Sequence, residues 1–327
     1  MSNRIVTIAL LALALIACRS PNQPPAGSWT KAKVLADKED HPSKIVTDGE
    51  AVYFITGGTV ASQHEGTNNI KKVSLKDGTM SIFVRGGDVI PDTTLAIDDK
   101  YVYWSDGGSI LRVPKAGGAS EKIIPKAPKP AEIVMDEENI YWLIWGGEGS
   151  PPQPLMVAPK KGGEAKPLTP KYLGASGIGI DENFVYWITG DGIKEIRKIG
   201  GEVIAISHDS SPSPSIGLRM DDDNFYFCQA HGGKSALMRL SRKTGELSQL
   251  APSINHTMEF VIDETNVYYF AEAAGPGSSA VVLMKISKNG GTPVEIDRGN
   301  AGWIKHLAVD AKQIYFTDIS KVYAIAK

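Results

Sequence analysis

The stretch "AIDDKYVYWSDGG", Ala96 to Gly108, decides the fold because its pattern recurs along the chain. An apolar residue precedes Asp98, and five residues after that aspartate Tyr103 begins an aromatic pair with Trp104. Seven units share this spacing: Asp48 with Tyr53-Phe54, Asp98 with Tyr103-Trp104, Asp136 with Tyr141-Trp142, Asp181 with Tyr186-Trp187, Asp221 with Tyr226-Phe227, Asp263 with Tyr268-Tyr269, and Asp310 with Tyr315-Phe316. The mean step between aspartates is (310 − 48)/6, about 44 residues. Periods of roughly 40–45 residues with short strands are typical of β-propeller blades.

A second element follows the aromatic pair in six units. It is a short apolar strand that ends in Lys-x-Gly: Lys76-Asp77-Gly78, Lys115-Ala116-Gly117, Lys160-Lys161-Gly162, Lys198-Ile199-Gly200, Lys243-Thr244-Gly245 and Lys288-Asn289-Gly290. Glycine suits a tight hairpin whose backbone needs positive φ. Another strand follows the glycine, so each unit predicts four antiparallel strands, A to D, which make one blade.

The seventh unit is incomplete at its end. Its "KVYAIAK" segment matches strand C of the other units, and no strand D follows it. The segment "WTKAKVLAD", Trp29 to Asp37, precedes the first strand A and resembles a strand D. We therefore predict an all-β, seven-bladed propeller whose last blade is completed by the N-terminal strand. Such closure removes the exposed sheet edges of an open array.

The first eighteen residues have the pattern of a targeting segment. Arg4 supplies a positive charge, and the apolar run from Ile5 to Ile16 is too short to span a bilayer. The run ends in "LIAC", Leu15 to Cys18, which resembles the lipobox of bacterial lipoproteins. That resemblance implies cleavage before Cys18 and a lipid on its sulfur. The other interpretation is an ordinary buried cysteine in a core helix.

A tether follows the targeting segment. Residues 19–28 contain three prolines among small polar residues and cannot bury a core, which leaves residues 29–327 for the propeller. Arg19, rather than aspartate, follows Cys18, and the lipoprotein sorting rule then favours an outer-membrane location facing the periplasm or the cell surface. Only Cys228 remains once Cys18 is modified, so no internal disulfide is expected.

The overall charge excludes one class of partner. The net charge is −2 and there is no basic run, whereas affinity for nucleic acid depends on a basic surface that releases counterions. We therefore expect no nucleic-acid partner. Phosphate-loop, dinucleotide-binding and nucleophile-elbow patterns are absent, and no His/Glu cluster has metal-ligand spacing on one segment, so no cofactor is evident.

The units resemble the Tyr-Trp-Thr-Asp (YWTD) propeller repeats of low-density-lipoprotein-receptor-like proteins and of bacterial relatives, including TolB-like propellers. The segments "YWSD", Tyr103 to Asp106, and "YFTD", Tyr315 to Asp318, carry this resemblance, which extends over nearly all of residues 29–327. Five units lack the full tetrad, and the receptor type has six blades rather than seven. The resemblance therefore implies a fold and no particular partner site.

The repeated residues are expected to be scaffold. An aspartate at the start of a β-turn caps backbone N–H groups, and seven copies at equivalent turns suit that role better than a calcium site, for which "DDDN", Asp221 to Asn224, lacks the spacing. In a propeller both faces of a blade pack against neighbouring blades, so both members of each aromatic pair are expected to be buried.

The irregular loops are better candidates for function, because functional residues concentrate on loops over a rigid scaffold. In a propeller the B–C and D–A connections share one face, and here the B–C loops vary most in length. All six histidines and three large aromatic residues are expected in loops on that face: His41, His208, His256 and His306 in D–A connections, His64 and His231 in B–C loops, and Trp145, Tyr172 and Trp303 beside them.

Two functions remain open. The first is a lipid-anchored binding or scaffold module of the cell envelope that docks a protein or glycan partner, with the aromatic residues as anchors. The second is a lactonase- or lyase-like propeller enzyme with a metal in the central funnel, for which His41, His256 and His306 are the best candidate ligands. No acid–base pair or nucleophile is identifiable, which favours binding.

Overall fold

The computed structural model describes residues 29–57, 68–90, 94–144, 151–170, 175–206, 215–231, 234–254, 259–272, 280–299 and 306–327. Within these ranges the chain forms 28 β-strands and no helix. The strands make seven four-stranded sheets, and the neighbours in each sheet are antiparallel. The prediction of a seven-bladed all-β propeller is confirmed.

The strands follow the sequence order A to D within each blade. Strand β1 spans Lys33–Ala36. Blade 1 has β2 (Ser43–Thr47), β3 (Ala51–Thr56), β4 (Asn69–Ser74) and β5 (Met80–Arg85); blade 2 has β6 (Leu95–Ile97), β7 (Tyr101–Ser105), β8 (Ile110–Pro114) and β9 (Glu121–Ile124). Blade 3 has β10 (Pro130–Met135), β11 (Asn139–Ile144), β12 (Met156–Pro159) and β13 (Lys166–Pro167); blade 4 has β14 (Ile178–Ile180), β15 (Phe184–Thr189), β16 (Gly192–Arg197) and β17 (Ile204–Ala205). Blade 5 has β18 (Ser215–Met220), β19 (Asn224–His231), β20 (Lys234–Ser241) and β21 (Leu247–Ile254); blade 6 has β22 (Phe260–Ile262), β23 (Asn266–Glu272), β24 (Val281–Ser287) and β25 (Val294–Gly299); blade 7 has β26 (Leu307–Val309), β27 (Gln313–Thr317), β28 (Val322–Ala326) and, as its strand D, β1.

The repeated aspartate forms the A–B turn of every blade. In blade 2, Oδ1 of Asp98 accepts hydrogen bonds from the backbone N–H groups of Lys100 at 2.8 Å and Tyr101 at 2.7 Å. Its Oδ2 accepts a third bond from the Tyr103 hydroxyl at 2.8 Å. All seven units have the two backbone bonds. A side-chain acceptor in this position satisfies donors that a tight turn would otherwise leave unpaired.

The aromatic pairs join neighbouring blades. Tyr103 and Trp104 are both fully buried, although they are adjacent on one strand. Trp104 packs with Tyr53 and other residues of blade 1, whereas Tyr103 packs with Trp142 and other residues of blade 3. Successive side chains of a strand point to opposite faces, so each pair contributes to two inter-blade cores. Burial of this kind accounts for the pairs without a ligand.

The N-terminal segment closes the ring as predicted. Strand β1 pairs antiparallel with β28, with Lys33 opposite Ala324 and Val34 opposite Tyr323. Just before β1, Trp29 forms an isolated bridge with Gly299 of blade 6, and its ring lies 4.7 Å from that of Phe316. The first described residues therefore join two neighbouring blades.

The seven A strands surround the axis of the propeller. Each contacts the A strands of the two neighbouring blades, and β2 and β26 close the circle. We call the end that carries the A–B and C–D turns the aspartate face, and the end that carries the B–C and D–A connections the loop face. Much of the loop face, including 58–67, 145–150 and 207–214, lies outside the described residues.

Candidate functional site

The candidate site lies along the propeller axis. Each A strand or its entry carries one residue four positions before the repeated aspartate, and these seven residues form what we call the axial column: Lys44, Thr94, Glu132, Gly177, Gly217, Glu259 and His306. The A strands are the innermost strands of the blades, so the column surrounds the axis. It breaks the sevenfold repeat, because four of its members are ionisable and two have no side chain.

An ion pair spans blade 4. Arg219, two positions before the aspartate of blade 5, places its Nη1 3.0 Å from Oε1 of Glu132 in blade 3. Blade 4 has glycine at both equivalent positions, in or just before its strand A: Gly177 corresponds to Glu132, and Gly179 corresponds to Arg219. No side chain at these two positions therefore stands between the two charged groups. A Cβ on Gly177 would lie 2.3 Å from the backbone nitrogen of Leu218, so the inner strands of blades 4 and 5 approach too closely for any other residue.

A close histidine–glutamate contact joins blades 6 and 7. Nδ1 of His306 lies 2.6 Å from Oε2 of Glu259, and the backbone N–H of Leu307 donates to Oε1 of the same carboxylate at 3.3 Å. Burial alone would raise the pKa of Glu259. Attraction to His306, and then to Lys44 and Arg219, outweighs burial and holds that pKa below its usual value. Electrostatic attraction thus connects side chains from four blades.

The two contacts differ in exposure, and Nδ1 of His306 is itself buried. The side chains of Glu132 and Arg219 are each 33% exposed, and those of Glu259 and His306 are 28% and 15% exposed. A partly exposed ion pair can exchange a partner for a polar group of a ligand, because neither charge is fully removed from water. The axial site therefore presents anionic and cationic groups side by side. Such a surface suits a ligand that carries polar groups of both kinds.

Of the predicted histidines, His306 is the one that the structure places in this cluster. His41 lies in the D–A connection before blade 1, where its Nδ1 is 2.8 Å from Oδ1 of Asp40 and its side chain is 41% exposed. Its backbone N–H donates to the carbonyl of Ile319 at 3.2 Å, and its φ of 48° lies in the left-handed region. His41 thus joins the entry of blade 1 to the B–C turn of blade 7.

The other candidates belong to parts of the loop face beyond the described side chains. His64, His208, His256, Trp145, Tyr172 and Trp303 lie outside the described residues, and of His231 only the backbone, at the end of β19, is described. Within the described ranges no three His, Cys, Asp or Glu side chains are grouped as metal ligands. No helix in those ranges is long and apolar enough to cross a membrane.

Sequence reasoning missed Lys44, Glu132, Arg219 and Glu259. The signal was present, because each lies at a fixed offset from an aspartate that the repeat already identifies. When the seven units are aligned on that aspartate, the positions two and four residues before it differ between units and include charged residues. A purely structural position would have the same residue type in every unit.

The comparisons with known proteins support the fold. No family model matches the sequence, and no curated protein matches it. Among solved structures the chain is similar to an oligogalacturonate lyase in complex with manganese, with a TM-score of 0.68 and 15% identity over 91% of this chain and 96% of that one. It is also similar to a chain of a nidogen/laminin complex (TM-score 0.54, 19% identity, 75% of this chain and 95% of that one). A third is BamB from Moraxella catarrhalis (TM-score 0.56, 11% identity, 91% of this chain and 100% of that one).

Those structures include both an enzyme and proteins of binding or scaffold type. At identities of 11–19% they bear on architecture and leave activity open. The chain is a β-propeller with similarity to both kinds.

Proposed function

We propose that the protein is a binding module of the bacterial cell envelope and that its ligand or partner is recognised at the axial site. The observation that carries this proposal is the convergence of Lys44, Glu132, Arg219, Glu259 and His306 from five blades on one axis. Propellers use the axis and the adjoining loops because every blade can contribute a residue there.

The internal pairing favours binding over acid–base chemistry. Glu132 is paired with Arg219, and Glu259 lies against His306, whose attraction lowers the pKa of the Glu259 carboxyl and makes it a poor proton donor. A ligand that offers both donors and acceptors can replace part of each pair. The chemistry suits a polar loop of an envelope protein or a glycan that carries charged groups.

The attachment to the envelope is proposed from the sequence. Cys18 and the tether of residues 19–28 would hold the propeller on a membrane through a lipid, in an outer-membrane location that faces the periplasm or the cell surface. Radiolabelled palmitate should label the wild-type chain and not a Cys18→Ser variant, which should also leave the membrane fraction. Equal labelling of both chains would contradict the anchor.

Capture of envelope components tests the binding function. Wild-type protein would be cross-linked in detergent-solubilised envelopes beside two paired variants, Glu132→Gln/Arg219→Gln in the axial site and Glu295→Gln/Arg298→Gln. The control pair, 2.6 Å apart, lies on β25, the outermost strand of blade 6. Removal of both partners avoids an unpaired charge, so each variant should fold.

We expect an envelope component whose recovery falls about tenfold in the axial variant, which corresponds to about 1.4 kcal/mol, and is unchanged in the control. Recovery that is equal in all three proteins would contradict recognition at the axis. The metal content of the same preparations is the second measurement. Stoichiometric metal that disappears in a His306→Ala variant would favour the enzyme alternative, because three or so protein ligands would then meet in the funnel.

A further inference from the structure

A belt of inter-blade ion pairs surrounds the aspartate face. At six interfaces Oδ2 of the repeated aspartate pairs with a cation from the end of strand C in the following blade, at 2.5–3.1 Å. The six pairs are Asp48 with Lys115, Asp98 with Lys160, Asp136 with Lys198, Asp181 with Arg242, Asp221 with Lys288, and Asp263 with Lys327. One carboxylate thus caps its own turn and holds the next blade.

At the seventh interface, between blades 7 and 1, none of the described residues supplies that cation. The backbone N–H of Lys115 donates to the A–B turn of its own blade, at the carbonyl of Lys100. In blade 1 the same bond comes from Leu75, which donates to Glu50 at 2.8 Å. Leu75 therefore occupies the position that a lysine or arginine holds in the other six blades.

A longer turn explains the substitution. The turn glycine of blade 1, Gly78, bonds back to the carbonyl four residues earlier, whereas Gly117 of blade 2 bonds back three residues. The extra residue moves the lysine of the Lys-x-Gly motif, Lys76, one place beyond the pairing position. Blade 5 has the same longer turn, but there Arg242 precedes the motif and supplies the cation.

The carboxylate at the seventh interface keeps its other contacts. Oδ1 of Asp310 caps the turn through the N–H groups of Lys312 at 2.7 Å and Gln313 at 2.8 Å. Oδ2 accepts from the Tyr315 hydroxyl at 2.6 Å. Among the described residues no lysine or arginine forms an ion pair with Asp310.

A cavity of about 880 Å³ occupies this place and extends toward the interface of blades 1 and 2. Its lining includes Asp310, Tyr315 and Leu75. The groove between blades 2 and 3, where Lys160 supplies the cation, measures about 390 Å³ and belongs to one interface, whereas the larger cavity spans two. At the seam between the last and first blades, the Asp310 carboxylate and the Tyr315 hydroxyl are therefore in place. The space that a lysine or arginine side chain fills at the other interfaces is open there.

Four lysines line the cavity, and two of them, Lys72 and Lys115, make polar contacts within the protein. Lys115 pairs with Asp48 at 3.1 Å, and the ammonium of Lys72 donates to the carbonyl of Lys115 at 3.2 Å and lies over the Tyr53 ring. Lys76 and Lys312 also line the cavity, and both are exposed.

We propose that this seam binds an alkylammonium or guanidinium group, which completes the belt as its seventh cation against Asp310 and Tyr315. Six internal copies of the repeated aspartate take a lysine or arginine side chain, and five of those aspartates also accept the tyrosine hydroxyl, so the chemistry of the missing partner is defined by the protein itself. Leu75 and the ring of Tyr315 offer an apolar wall to the alkyl stem, as long cationic side chains prefer. The group could belong to a free amine or to a lysine or arginine side chain of another protein.

The test uses the full chain in detergent, with backbone amide NMR signals of Lys312 and Gln313 as reporters of the Asp310 carboxylate. The probes are cadaverine, the blocked peptide acetyl-Gly-Lys-Gly-amide, and acetyl-Gly-Gln-Gly-amide as the neutral control. We expect saturable shifts with the two cationic probes and none with the glutamine peptide. Binding should be weak, with a Kd in the millimolar range, because a single partly exposed ion pair contributes little.

Variants separate the site from a general charge effect. Leu75→Lys supplies the cation internally and should abolish the shifts while it raises the Tm. Leu75→Met leaves the acceptor free and should keep them. Asp310→Asn preserves an oxygen for the turn cap and should weaken binding at least about tenfold, or 1.4 kcal/mol.

The binding measurements test whether the seam takes a cation and distinguish the two sources of that cation. Tighter binding of the lysine peptide than of cadaverine would indicate a protein side chain, and the reverse order a free amine. Shifts that persist in Leu75→Lys, or that the neutral peptide reproduces, would overturn the proposal, as would the absence of a saturable shift in wild type. None of these outcomes bears on the axial site, which uses different residues.

Discussion

Replacement of Asp297 by alanine should open the closure of the ring. This aspartate lies on β25 of blade 6 and is 1% exposed. Its two oxygens accept hydrogen bonds from three successive backbone N–H groups of the segment before β1, those of Thr30 at 3.2 Å, Lys31 at 3.0 Å and Ala32 at 2.9 Å. The Thr30 hydroxyl donates to the same carboxylate. One side chain therefore holds the N-terminal segment against blade 6.

The size of the effect follows from these contacts. Each donor that loses a buried partner costs about 1–3 kcal/mol, and bonds to a charged acceptor lie toward the upper end. Alanine at position 297 removes the acceptor of the Lys31, Ala32 and Arg298 N–H groups, whereas the Thr30 N–H keeps the Arg298 carbonyl at 3.3 Å. Water reaches part of this segment because Lys31 is exposed. We expect a loss of about 3–5 kcal/mol from an unfolding free energy that is about 5–15 kcal/mol for typical domains. Asparagine, which keeps one acceptor oxygen, should lose about half as much.

Urea unfolding followed by tryptophan fluorescence measures the loss, since Trp29 lies beside the released segment. The control is Asp77→Ala, which removes an aspartate that caps one N–H, that of Thr79 at 2.9 Å, on an exposed turn. The control should unfold at nearly the wild-type urea concentration, because surface substitutions of this kind change stability little. If Asp297→Ala stays within about 1 kcal/mol of wild type, the reasoning about the latch is refuted.

Three further predictions concern the interior and the belt. Gly177→Ala should lower the urea midpoint by the equivalent of about 2–3 kcal/mol, because its Cβ would meet the backbone of Leu218 at 2.3 Å; an unchanged midpoint would show that the inner strands can separate. For Asp98 and Asp263, burial raises the pKa, but the paired lysine, the tyrosine hydroxyl and backbone N–H groups together lower it to about 2. Because these folded pKa values lie below the unfolded value of about 3.9, each carboxylate stabilises the fold at neutral pH, by about 1–2 kcal/mol after screening by solvent, and this is lost as pH falls from about 4 to 2. Asp98→Asn should flatten the pH dependence of unfolding in that window, and a parallel curve would contradict the assignment. Burial raises the pKa of the Cys228 thiol to about 12, so iodoacetamide at pH 8 should modify Cys228, as mapped by peptide mass spectrometry, only after urea is added; rapid labelling of the folded protein would contradict its burial.

The fold was predictable because its determinants are local and repeated. Asp98, Tyr103 and Trp104 lie within seven residues, and the turn cap and both inter-blade contacts arise from that short segment. The closing strand was predictable for a related reason: the last unit lacks one strand, and the segment before the first unit has a matching pattern. Seven repetitions make such a pattern visible without any structural information.

The candidate site was only partly predictable. His306 could be assigned to a D–A connection, but its partner Glu259 comes from another blade, and the Glu132–Arg219 pair passes over blade 4. Such contacts depend on the arrangement of blades around the axis, which spacing along the chain does not specify.

The belt shows a different limit. The Lys-x-Gly pattern correctly marks the turn glycines, all of which have positive φ. The lysine of the pattern is not the residue at the pairing position in two blades, because the turns at Gly78 and Gly245 are one residue longer than the others. Identification of Leu75 as the pairing position required the backbone hydrogen bonds. A single inserted residue thus shifts side-chain chemistry while the strand pattern stays the same.

The pairing of β1 with β28 also has a consequence for how the chain is made. Lys33 and Ala324, which face each other in blade 7, are 291 residues apart in sequence (324 − 33). During vectorial synthesis β1 emerges first and must wait, unpaired, until nearly all the blades have been made. This is the most non-local strand pairing described in the fold, and non-local pairings are among the slow steps of folding. The growing chain thus has an extended interval in which a chaperone, or a second nascent chain, can capture the waiting strand.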